Sequence, residues 1–193
     1  GRDSSGNPAE KKRTEIPAAG VVGREVNTLL KGSRLTGDIN VTCDLELSGD
    51  VEGNIRSWND SNIIITGTCK GSIETVGGSV YIKGELKSGD ITAGKDVTIA
   101  GRFGGGVVKA KGRIYINGEF NGKMDGNEVD LGPDARGKGE LLYREAVSIA
   151  RGAKVDVQIS SADGAGRQEN DVTDKKVINL AAPAKQTGGK KQP

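Results

Sequence analysis

Residues 45–55 read LELSGDVEGNI: Leu45, Leu47, Gly49, Val51, Gly53 and Ile55 alternate with polar residues, so the period is two, as in a strand. Two of those alternating places hold glycine, which weakens a strand and marks bends or close backbone approach. The same pattern returns along the chain. IIITGTCKGSI begins at Ile63, VYIKGELKSGDI at Val80, VTIAGRFGGGVV at Val97 and IYINGEFNGKM at Ile114. A unit with Pro133 where a corner glycine is expected, VDLGPDARGKG, begins at Val129. VSIARGAKVDV begins at Val147 and loses the pattern after its first half, and TLLKGSRLTGDI precedes them all from Thr28.

Repetition at 15–18 residues outranks any local reading. No unit has a helical stripe, no crossover helix separates the units, and each is too short to be a sheet alone. The reading that fits is an all-β, single-domain parallel β-helix of about eight coils over residues 28–159. Residues 1–27 and 160–193 are expected to be disordered tails, because they mix charge, proline and small residues without periodicity. Each coil adds about 4.8 Å, for a rod of roughly 38 Å.

In a coil that must bend several times, glycine supplies positive φ or the space a Cβ would fill. Gly49, Gly67, Gly84, Gly101 and Gly118 occupy the first corner. Gly53, Gly71, Gly89, Gly106 and Gly122 occupy the second. This register stacks Val51, Cys69, Leu86, Phe103 and Phe120 inward. Outward it stacks Asp50, Thr68, Glu85, Arg102 and Glu119, the last three alternating in sign as cross-strand neighbours should. Glu52 faces Lys70, and Tyr81, Thr98 and Tyr115 form another outward row.

Composition narrows the chemistry. Of 193 residues 31 are glycine, and 28 basic residues nearly balance 26 acidic ones, which offers no electrostatic case for nucleic acid. The chain has no histidine, hence not the usual general base or metal ligand. Cys43 and Cys69 form no CxxC and fit a reducing compartment or small buried residues. No apolar run approaches the ~18 residues of a membrane span, and no leader pattern of charge followed by an apolar stretch is present. GRFGGG at 101–106 runs into another strand rather than a helix, so it reads as a corner and not a phosphate loop. No catalytic residue, cofactor or metal site is expected.

The tandem I-x-G-x-x-x-G-x-I units, as in LSGDVEGNI and INGEFNGKM, with the closing VSIARGAKVDVQI, resemble the bactofilins, bacterial polymer-forming cytoskeletal proteins. The resemblance covers about residues 28–159. It implies a right-handed β-helix that joins end to end into filaments without nucleotide, in the cytoplasm, as a scaffold for cell-shape, cell-wall or polarity factors. It also implies peripheral membrane contact through an N-terminal segment, for which IPAAGVV at 16–22 is the nearest candidate.

The ends of such a rod expose unpaired backbone and core side chains, and no amphipathic cap helix precedes or follows the repeats. The expected polymer interfaces are therefore Leu29, Leu30, Leu35 and Ile39 in the first coil and Val147, Ile149, Val155, Val157 and Ile159 in the last. Homopolymerisation through either like or unlike ends is open. The alternative is a capped solenoid serving as a binding module or adhesin, with Trp58 or the tyrosine row at its contact face. An enzyme is disfavoured, since lyase-type β-helices need longer loops and left-handed acyltransferases a six-residue period and a histidine.

Overall fold

Strands of three or four residues cannot cover their own apolar side chains, and here each is covered by its counterpart one coil away. The structure, a computed structural model, describes residues 25–162 and 176–179. The first coil holds β1 (Val26–Leu29), β2 (Arg34–Thr36) and β3 (Ile39–Asn40), and the second β4 (Asp44–Leu47), β5 (Asp50–Glu52) and β6 (Ile55–Ser57). Next come β7 (Ile63–Ile65), β8 (Thr68–Lys70) and β9 (Ile73–Thr75), then β10 (Val80–Ile82), β11 (Glu85–Ser88) and β12 (Ile91–Ala93). Beyond them, β13 (Val97–Ile99) and β15 (Arg113–Ile116) stay short. By contrast β14 (Arg102–Ala110), β16 (Glu119–Leu131), β17 (Arg136–Ile149) and β18 (Lys154–Ser161) run through corners. A separate strand, β19, spans Lys176–Asn179.

The coil has three faces. On the first, Leu45 pairs in parallel with Ile63, which continues to Val80, Val97, Ile114, Val129 and Val147. On the second, Leu35, Val51, Cys69, Leu86, Phe103, Phe120, Gly137 and Val155 follow one another. On the third, Ile39, Ile55, Ile73, Ile91, Val108, Met124, Leu141 and Ile159 do so. The inner rows are buried through the middle of the rod; Leu47, Ile63, Ile65, Cys69, Ile82 and Ile99 have no exposed surface. The outcome is a parallel β-solenoid of about eight turns.

The two glycine rows are required for different reasons. At the first corner a Cβ on Gly67 would overlap the carbonyl oxygen of Gly49, and one on Gly84 that of Gly67. At the second corner Gly53 and Gly71 also have φ of +152° and +144°, which L side chains rarely adopt.

Four details depart from the repeat as read in the sequence. Asn27, not Thr28, is the partner of Leu45. The turn Leu30–Ser33, closed by the Ser33 amide donating to the Leu30 carbonyl, is wider than the later corners, so alignment on Gly32 slips by one. Pro133 is not at the corner position: two extra residues make a turn, Gly132–Ala135, and buried Ala135 precedes Arg136 as Gly118 precedes Glu119. The unit from Val147 does not lose the pattern, because Lys154–Ser161 pairs residue for residue with Arg136–Tyr143. The inward stack therefore does not end at two aromatics but continues to Gly137 and Val155. Finally, the coils reach Val26 and Ser161, beyond the expected 28–159, and residues 176–179 within the expected C-terminal tail form a strand. The rest of the expected tails lies outside the described residues.

Candidate assembly ends of the rod

At the N-terminal end, β1 pairs with β4, β2 with β5 and β3 with β6. Among the described residues nothing pairs with the opposite edge of these three strands. Their inward side chains Leu29, Leu35 and Ile39 sit on the core but are only half-buried, where the matching rows one coil further in are closed. Leu30 is a different case. It stands on the wide turn, 68 % exposed, and with Val26 adds apolar surface to the rim instead of to the core row.

The C-terminal end is built differently. Residues 146–149 of β17 pair with 128–131 of β16 on one side, nothing among the described residues pairs with their other edge, and Val147 and Ile149 are half-buried. Val155, Val157 and Ile159 are buried, at 0 %, 1 % and 6 % exposure. Against this stretch β19 pairs antiparallel, Asp156 opposite Asn179 through Ile159 opposite Lys176. The five residues expected to act together at this end thus divide into an open pair on the first face and a covered trio on the other two. No cap helix is expected from the sequence at this end, and β19 supplies a partial cap with a strand instead.

Between the ends, the corners carry two polar ladders that the glycine and apolar repeats do not announce. After the second glycine row, the Asp38 carboxylate accepts from the Asn54 amide, Asn54 Oδ1 from Ser72, Ser72 Oγ from Asp90, and the Asp90 carboxylate from Val107. Before the first face, Asp44, Asn62, Ser79 and Asp96 do the same for the next coil. The signal was present as GDI, GNI, GSI and GDI in successive units. At the third corner Ser57 and Ser61 share a 2.8 Å hydrogen bond, and the Thr75 hydroxyl donates to the Ser61 carbonyl.

On the flanks, Arg102 meets Glu119 at 2.9 Å and Lys70 meets Glu52 at 3.9 Å. Trp58 is 65 % exposed under the Arg56 guanidinium, and Lys83 and Arg113 lie over Tyr81 and Tyr115. An open trough of about 780 Å³ follows the first corner past Gly67, Gly84, Gly101 and Gly118, edged by Glu85, Arg102 and Glu119. It gathers no set of convergent catalytic groups. Cys69 lies in the core, where burial pushes its thiol up to about 11; Cys43 is half-buried and accepts from Asn27 Nδ2. Among the described residues no group of three or more Cys, Asp or Glu could hold a metal ion, and no helix is long and apolar enough to cross a membrane.

Residues 27–104, the coils from β1 into β14, match the sequence model of the Bactofilin family, described as polymer-forming cytoskeletal. Neither the curated proteins nor the solved structures gave a match. The inner rows continue past residue 104 without a break, so later coils extend the matched solenoid and do not start another fold. With their repeated glycine corners and parallel coils, residues 27–104 carry a Bactofilin domain, of a family described as polymer-forming cytoskeletal.

Proposed function

We propose that this chain is a subunit of a filament, joined end to end through its terminal coils without nucleotide, and that the filament is a scaffold positioning other proteins. The observation that carries this reading is the N-terminal end. There three successive strands have an unpaired edge among the described residues, and the apolar residues Leu29, Leu35 and Ile39 are half-covered. Such an edge templates further pairing, and a second copy offers strands of the same spacing and apolar rows of the same width. No nucleotide is needed, because burial of the rows and backbone pairing both favour the joint. Like-to-like and unlike joints are both compatible with this surface.

The clients and the cellular compartment belong to the same proposal. The rod would act in the cytoplasm, with clients engaging its faces or its tails, and contact with a membrane surface would fall to residues 16–22, which lie outside the described residues. The alternative of a binding module draws on one feature, exposed Trp58 with exposed Val76 one coil further on. The two roles combine readily, as a flank contact leaves the ends free.

Ile39→Arg places a charge in the half-covered row without entering the closed core. Negative-stain microscopy of purified protein without nucleotide should show filaments for the parent chain and short particles for Ile39→Arg, with the circular dichroism of both unchanged. Filaments of undiminished length in the variant would remove the N-terminal coil from the joint.

A further inference from the structure

We propose that β19 is a removable cover: residues 176–179 occupy the outer edge of β18 within one subunit and so withhold the second and third faces of the C-terminal end from another copy. This rests on the end-to-end reading above and adds regulation to it.

Several observations point to a cover and not to one more coil. Every other strand pairing in the described rod is parallel, as coil-on-coil stacking demands, whereas β19 lies antiparallel on Asp156–Ile159. A reversed strand cannot hand the chain on to a further turn in register, so it closes the stack. Its position is selective. It takes the edge across the corner between the second and third faces, where Val155, Val157 and Ile159 are closed to solvent, and leaves residues 146–149 of the first face open. At the N-terminal end no described strand plays this part, and the corresponding core residues Leu29, Leu35 and Ile39 are half-covered.

The cover is also suited to removal. It is four residues long, Lys-Val-Ile-Asn, against eight in the strand it covers. Two β-branched residues give it strand propensity. Thirteen residues, 163–175, separate it from the rod, so detachment requires no change in the coils. The backbone groups it occupies are those that an incoming subunit would need for pairing along β18. Pairing in cis and pairing with a second copy are then mutually exclusive on these two faces, and the equilibrium between them sets how readily that end joins.

The test keeps the full chain. Val177→Pro with Ile178→Pro removes both central N–H groups of β19 and so its ladder, whichever of them donates. Val177→Ile with Ile178→Val, which retains them, is the control. Hydrogen exchange reads the cover itself, and amides of β18 should exchange faster in the proline variant alone. Sedimentation reads assembly, and the concentration at which half the protein pellets should fall about tenfold in the proline variant. Unchanged exchange in β18 would overturn the cover, whether or not filaments form. An unchanged or raised pelleting concentration, with faster exchange, would overturn its gating role and make β19 an ornament of the end or part of the joint. If parent and proline variant both fail to pellet at any concentration while exchange responds, the end-to-end reading falls and the gate falls with it, leaving the strand as a plain cap.

Discussion

At the level of single residues, the glycines fall into classes that the sequence writes with one letter. Gly32 has a φ of +92° but nothing within 4 Å of a Cβ, so alanine there should cost about 1–3 kcal/mol through backbone strain. Gly71 combines φ of +144° with a Cβ that would overlap the Gly53 carbonyl, so Gly71→Ala should lower the urea midpoint well beyond Gly32→Ala. Equal midpoints would dispose of the crowding explanation. Cys69 gives a second prediction. Its folded pKa, about 11, lies above the ordinary 9.0 because burial disfavours the thiolate. The folded state therefore holds its proton longer than the unfolded chain. The contribution is fully present below pH 9 and is lost as pH rises from about 9 through 11, with a slope of at most about 1.4 kcal/mol per pH unit. Cys69→Val should remove that part of the alkaline slope in denaturant titrations. A slope identical in both proteins would show that Cys69 does not contribute. The position of Cys69 in the core was legible, since Val51 and Leu86 take its place in the adjoining units. That Leu30 stands on the rim and not in the inward row was not legible, because Gly32 lies on a wide turn, and a glycine in a turn looks in sequence like a glycine at a corner.

At the level of elements, corners and ladders divide the work. The inner rows bury aliphatic surface, while each ladder oxygen satisfies an amide exposed where the chain bends between strands. Replacing Asn54 by Ala leaves the Ser72 amide without its 2.9 Å acceptor and should cost about 1 kcal/mol. Asp90→Ala acts in the same way on Val107, two coils further on, and the two losses should add within about 0.5 kcal/mol. A strongly non-additive double variant in chemical denaturation would mean that the ladder acts as one unit. The ion pair of Arg102 and Glu119 is half-exposed, and its removal should matter less than either loss. Strand type and the register of the middle coils could be read from spacing alone, because each coil there repeats one short chemical rule, whereas the first coil slipped by one and the last was lost. β19 could not: four residues show no period, and their partner, β18, is fixed by position in space and not by any nearby motif. The long strands β14, β16, β17 and β18 were hidden for a similar reason, since Gly104 and Gly122 lie within strands that continue through a corner instead of ending there.

At the level of the molecule, a solenoid is held together by contacts between neighbouring coils. Removing residues 80–96, one whole coil, would let Ile63 meet Val97 as it now meets Val80, with both ends unchanged. That shortened protein should fold, with β-type circular dichroism and a reduced urea midpoint. Removing residues 80–88 alone should not, because the third-face strand Ile91–Ala93 would then fall beside the first face, with Ile91 in the place of Ile82 opposite Ile65. Folding of both would contradict the requirement for whole coils. The ends were legible as apolar, and their difference was not, since it rests on β19. The strands of every coil run across the rod, so their backbone hydrogen bonds point along its axis. A lengthwise load spread over the end faces of a subunit is therefore shared by all the bonds between two coils, as fibres in a rope share tension.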